Sequence, residues 1–132
     1  MAQLMVRNLT HDNAGVLDFL RTAARDKMAL YLSAITIGEL RQGVESIRHR
    51  GDEVQANALE RWLRRVTADY SGSILALDQE AAQVWGRLRV PHPENALDKQ
   101  IAATALINGL TVVTRNIAHY APTGVPLLNP FS

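Results

Sequence analysis

Residues 98–116 read DKQIAATALINGLTVVTRN, and this stretch decides the fold because it joins an acid, a small-residue helix and a buried strand in one short segment. Ile101, Ala102, Ala105 and Leu106 recur at helical spacing. Gly109 falls where a helix ends in the left-handed conformation, and Leu110 to Val113 is a short apolar run rich in β-branched residues. The pattern predicts helix, turn, strand. Alanines at 102, 103 and 105 let the helix lie close against a sheet. Asp98, at or near the helix N-terminus, favours that end electrostatically, and on these residues alone it reads as a cap.

Working outward, the same alternation repeats. Leu30 to Ile35 (LYLSAI) reads as a buried strand. Thr36-Ile37-Gly38-Glu39 follows with the spacing of a capping box, opening a helix through Leu40, Val44 and Ile47 that RHRGD breaks. A long helix is predicted from about Glu53 to Tyr70, with Ala58, Leu59, Trp62, Leu63 and Val66 on one face. Ser71-Gly72-Ser73 is a turn, Ile74 to Leu77 a second strand, and Asp78 a cap for a helix burying Ala81, Val84, Trp85 and Leu88. Val90 to Leu97 carries two prolines and reads as an exposed loop delivering the chain to Asp98. After Asn116 comes a loop, then a last short strand from Val125 to Leu128. Upstream, Asp12 or Asn13 caps a helix running to about Arg25, while Ala2 to Leu9 shows no convincing strand pattern. Strands alternating with helices imply a parallel α/β sheet with helices on both faces, whose ligands gather beyond the carboxyl ends of the strands.

Composition narrows the function classes. At 132 residues the chain reads as one domain, 1–132, with 47% apolar and 20% charged residues, an ordinary soluble balance. No segment has the length of a membrane span, and no basic start precedes an apolar run, so the expected location is the cytoplasm. With no cysteine, disulfides, thiolate metal sites and cysteine nucleophiles are excluded, and any metal must sit on oxygen or histidine ligands. A net charge of +1 says nothing about nucleic acid by itself.

YLSAITIGELRQGVE (31–45), SILALDQEAAQVWGRLR (73–89), ALDKQIAATALINGLTVVTRN (96–116) and GVPLLNPF (124–131), in that order, resemble the PIN-domain ribonuclease toxins of the VapC type over roughly residues 14–132. The resemblance implies a three-layer α/β/α fold around a parallel sheet, a VapB-type antitoxin as partner, a homodimer, and Mg²⁺- or Mn²⁺-dependent hydrolysis of RNA phosphodiesters. Hard divalent ions take carboxylate oxygens converging from several strand ends, which is why such a site is built of acids. The family's second acid falls on Glu39 and its third on Asp98, as metal ligands. Its fourth position falls on Asn116, which supplies a neutral carbonyl oxygen and no charge. Glu39 thus has two readings, capping box or ligand. A further acid of the family is His119 here, which by itself reads as a surface histidine.

The family opens with an apolar strand ending in Asp-Thr-Asn, and this chain shows none. The first strand is therefore expected to be missing, leaving a chain that is either unstable or fills the mid-sheet gap with its own N-terminal segment or another protomer, with little or no Mg²⁺-dependent cleavage. A catalytically defective PIN-like module that binds antitoxin, itself or RNA is the alternative to an active ribonuclease. Arg41, Arg48, His49, Arg50, Arg61, Arg64 and Arg65 either line an RNA path or form a solvated helix face. Arg115 either contacts phosphate or orients a nearby acid by a salt bridge.

Overall fold

The computed structural model describes residues 3–6, 18, 22–23, 25–26 and 29–129. Five parallel strands, β1 (Gln3–Val6), β2 (Ala29–Ser33), β3 (Ile74–Leu75), β4 (Thr111–Val113) and β5 (Leu127–Leu128), form one sheet in the order β3-β2-β1-β4-β5. Helices α1 (Ala34–His49), α2 (Glu53–Asp69), α3 (Gln79–Leu88), α4 (Ala96–Ile107) and α5 (Ile117–Tyr120) connect them. The helix expected between Asn13 and Arg25 lies largely outside the described residues, of which Asp18, Thr22, Ala23 and Arg25 are helical.

The reading of Ala2 to Leu9 as no strand is corrected, and the chain's own N-terminal segment fills mid-sheet, one of the two outcomes expected for the gap. β1 occupies the middle of the sheet, with Leu4 opposite both Leu30 and Thr111, and Met5 opposite both Tyr31 and Val112. A central parallel strand is buried on both faces, so a run of apolar residues suffices and no alternation is needed. Leu4-Met5-Val6 is such a run, and all three residues are at most 2% exposed. Side-chain alternation divides them. Met5 enters a cluster with Ile101, Ala102, Ala105, Val112 and Tyr120, against which Ile35 and Leu88 also pack. Leu4 and Val6 enter a second cluster, with Leu32, Val66 and Val113, covered by Leu40 and Trp62. Each cluster joins the sheet to a helical layer, giving the three-layer arrangement.

The remaining boundaries follow local chemistry. Ser33, rather than Thr36, caps α1, its hydroxyl accepting from the Ile35 amide at 3.0 Å. The strand therefore stops at Ser33, and Thr36 and Glu39 lie inside the helix instead of forming a capping box. Asp52 caps α2 and Asp78 caps α3, each accepting an amide proton three residues on. Gly109 takes φ +66 after α4, the left-handed turn that a side chain would strain. The loop expected after Asn116 contains the short helix α5.

Candidate active site

Helices in parallel βαβ units run antiparallel to their strands, so helix N-termini gather at the sheet's carboxyl edge. α1 begins directly after β2, and α4 precedes β4, which places the first turns of both at that edge. Asp98 occupies the first turn of α4 with its side chain 13% exposed. Trp85 steadies this turn from α3, its indole N–H donating to the Ala96 carbonyl at 3.0 Å.

Both oxygens of Asp98 are held by α5. The Tyr120 hydroxyl donates to Oδ1 at 3.0 Å, and His119 Nδ1 lies 2.9 Å from Oδ2. The Thr-Arg-Asn segment after β4 builds this clamp. Buried Thr114 accepts the Asn116 amide on its hydroxyl at 3.0 Å, and the Asn116 carbonyl accepts from the His119 amide at 3.0 Å. That turn starts α5 and directs residues 119 and 120 back toward α4.

From sequence His119 reads as a surface residue, and no motif gives Tyr120 a role. His119 is 45% exposed and nonetheless bonds the central acid. The available signal for Tyr120 was its phenol, since a tyrosine ring buried in a core places its hydroxyl on a polar partner.

Glu39 is half-buried on α1, with Oε1 fully covered. Ile35, one turn before it, packs against the cluster holding Ile101 and Ala102, one turn after Asp98. The two acids thus stand on helices whose inward faces meet in one cluster. Thr36 Oγ1, beside them on α1, is buried and has no hydrogen-bond partner among the described residues. Asn116 and Arg115 are exposed beyond the end of β4. β1 ends at Val6, so the described part of the central strand brings no carboxylate, and no group of three acidic or histidine side chains suited to a metal occurs among the described residues. Asp12 falls outside them.

Arg41 lies in a different setting. It pairs with Glu60 at 2.7 Å and Glu45 at 3.1 Å, while Arg48 pairs with Glu45, Glu53 and Glu60. These pairs join α1 to α2. The Arg41 guanidinium, then that of Arg48, holds the Glu60 carboxyl below the usual range, and the same two groups lower Glu45. Arg41 and Arg48 therefore serve helix packing, while Arg61 and Arg65 remain on the exposed face of α2.

Comparison with known proteins agrees with this geometry. The PIN domain family model matches residues 9–122. Toxin FitB of Neisseria gonorrhoeae is 34% identical over 108 residues, covering 77% of this chain and 76% of that protein. The VapC ribonuclease Y4jK of Sinorhizobium fredii is 31% identical over 108 residues, covering 77% and 75%. Among solved structures, FitAB bound to an IR36 DNA fragment superposes with a TM-score of 0.81 at 25% identity, covering 98% of this chain and 96% of that one. With the PIN domain model matching most of the chain and a relative 34% identical over 77% of it, the protein, with its largely shielded Asp98 at the carboxyl edge of a parallel sheet, belongs to the PIN-domain family.

Proposed function

We propose that this chain is the toxin-type member of a toxin–antitoxin pair, an endoribonuclease that hydrolyses RNA phosphodiesters in the cytoplasm. The observation that carries the reading is Asp98, a carboxylate 13% exposed at the sheet's carboxyl edge and held through both oxygens. The names of the toxin and ribonuclease relatives support the same activity.

The donor types fit Mg²⁺ or Mn²⁺, since Asp98 and Glu39 offer carboxylate oxygens, Asn116 an amide oxygen, and no thiolate exists in the chain. Mg²⁺ commonly takes one or two carboxylates, with waters and substrate phosphate completing its shell, so this set suits loose binding. A hard divalent ion held there supplies Lewis-acid polarisation of a phosphoryl oxygen. The chain's own residues do the rest. Asp98 contributes the principal negative charge, and Tyr120 fixes its rotamer. His119 meets Oδ2 through Nδ1, leaving its Nε2 edge free of that contact. Asn116, its backbone amide held by Thr114, would offer its carboxamide oxygen just beyond the strand end, with Arg115 beside it as the phosphate contact. An RNA role for Arg41 would require it to leave Glu45 and Glu60.

One observation favours a second reading, a module that binds its partner without cutting RNA: β1 ends at Val6 with no acid. The fold itself no longer argues for inactivity, because β1 fills mid-sheet. Among the described residues the site is short of negative charge, and a site left so would cleave slowly.

As partners we propose a VapB-type antitoxin, whose arginine would reach Asp98 and Glu39 and compete with metal, and a second copy of the chain. Expression in a bacterial host tests the function: the wild type should arrest growth, and both Asp98→Asn and co-expression of the antitoxin should relieve the arrest. Unimpaired growth with well-expressed wild type would favour the binding-only reading. Light scattering that gives a strict monomer at high concentration would remove the dimer.

A further inference from the structure

Beside Asp98 lies a cation that the site as described does not use. Lys99, the next residue, is 4% exposed, and its ammonium donates to the His92 carbonyl. It makes no ion pair among the described residues, although a buried ammonium without an anionic partner is costly. An ammonium carries three donors, and one carbonyl engages one of them.

Lys99 lines a cleft of about 410 Å³ together with Val90, Pro91, Pro122, His92 and His119. The cleft therefore reaches His119, the residue whose Nδ1 meets Asp98. Lys99 also sits in the first turns of α4, where the helix macrodipole favours an anion. Among the described lining residues the only acid is Glu94, which is exposed and lies 3.7 Å from His92. A buried cation beside an apolar wall makes a receptacle for a phosphate joined to a less polar ribose or base.

We infer that the Lys99 cleft is a phosphate subsite that seats an RNA backbone phosphate next to the scissile one, with the attached ribose against Pro91 and Pro122. The inference rests on the ribonuclease reading and deepens it, making Lys99 a substrate-positioning residue. A single-stranded nucleic acid is favoured over an acidic peptide because the cleft offers one concentrated cation and an apolar wall, rather than a row of cations spaced along an extended chain.

The test is binding of a fluorescein-labelled single-stranded RNA oligonucleotide in EDTA, across a range of salt concentrations. It compares wild type, Lys99→Met and Lys99→Arg, all in the Asp98→Asn background to prevent cleavage. Lys99→Met should weaken binding about tenfold and reduce the slope of log affinity against log salt by about 0.7, the effect of one phosphate contact on a single strand, while Lys99→Arg retains most of both. Equal affinity and slope in Lys99→Met would overturn the subsite, as would binding of a poly-glutamate peptide that competes with RNA for it. Should Lys99→Met fail to fold, amide NMR of the otherwise unchanged protein decides. Addition of RNA should shift residues 92–99 and 119, and shifts confined elsewhere overturn the inference. RNA binding that depends on Lys99 in a protein without cleavage would leave the subsite standing and remove the ribonuclease reading. Cleavage by the Asp98-bearing protein that is indifferent to Lys99→Met, in rate and in KM, would do the reverse.

Discussion

The hydroxyl of Tyr120 donates to Oδ1 of Asp98 at 3.0 Å, tying a short helix after β4 to the first turn of the helix before it. Tyr120 is fully buried, so this hydrogen bond is sheltered from water and fixes the carboxylate that faces the carboxyl edge. Tyr120→Phe keeps the ring and removes the donor. It should lower stability by about 1.5–3 kcal/mol, the range for a bond to a charged acceptor, as read by urea unfolding. A variant as stable as wild type would mean that the bond does not organise Asp98.

The position of β1 has its own test. Met5 is fully buried between Tyr31 and Val112 and packs on Ile101. Met5→Ala should cost about 2–5 kcal/mol, the range for large-to-small changes in a closed core. A loss below about 0.5 kcal/mol, typical of a surface site, would show that the segment lies outside the sheet.

The α1–α2 ion-pair network predicts acid sensitivity. Glu60 and Glu45 are held below the usual carboxylate range by Arg41 and then Arg48. A depressed folded pKa gives stability that is present above the unfolded value, about 4.3 for glutamate, and lost as pH falls through the lower folded value. Thermal melts should show Glu60→Gln less stable than wild type at pH 7, with the difference shrinking below about pH 4. A constant difference across that range would show that Glu60 acts through packing alone.

Much of this was legible in the sequence, and the failures have physical causes. The α4–Gly109–β4 unit was readable because its helical periodicity, left-handed glycine and β-branched run agree with one another. β1 was missed because a doubly buried parallel strand shows no alternation, and three apolar residues between Gln3 and Arg7 carry too little signal alone. Thr36 and Glu39 have capping-box spacing, yet Ser33 three residues earlier captures the cap, since its hydroxyl reaches the Ile35 amide as β2 ends. Asp98 was identified from its place before IAATA. The Tyr120–His119 clamp was not, because it joins residues 21 and 22 positions away through α5, a four-residue helix.

Divalent metal should bind weakly and depend on Asp98. Titration calorimetry with Mg²⁺ and Mn²⁺ should show binding in wild type that Asp98→Asn loses. Equal heats from the two proteins would place the metal elsewhere.

The central claim is that Asp98 carries RNA hydrolysis at the sheet's carboxyl edge, and the most direct measurement is cleavage of a single-stranded RNA by purified wild type and Asp98→Asn, each with Mg²⁺ and with EDTA. The account predicts slow cleavage by wild type that requires Mg²⁺ and falls at least about 100-fold in Asp98→Asn, consistent with loss of the carboxylate that would hold the charge-stabilising ion. Cleavage by Asp98→Asn at the wild-type rate, or no cleavage by correctly folded wild type, would contradict it.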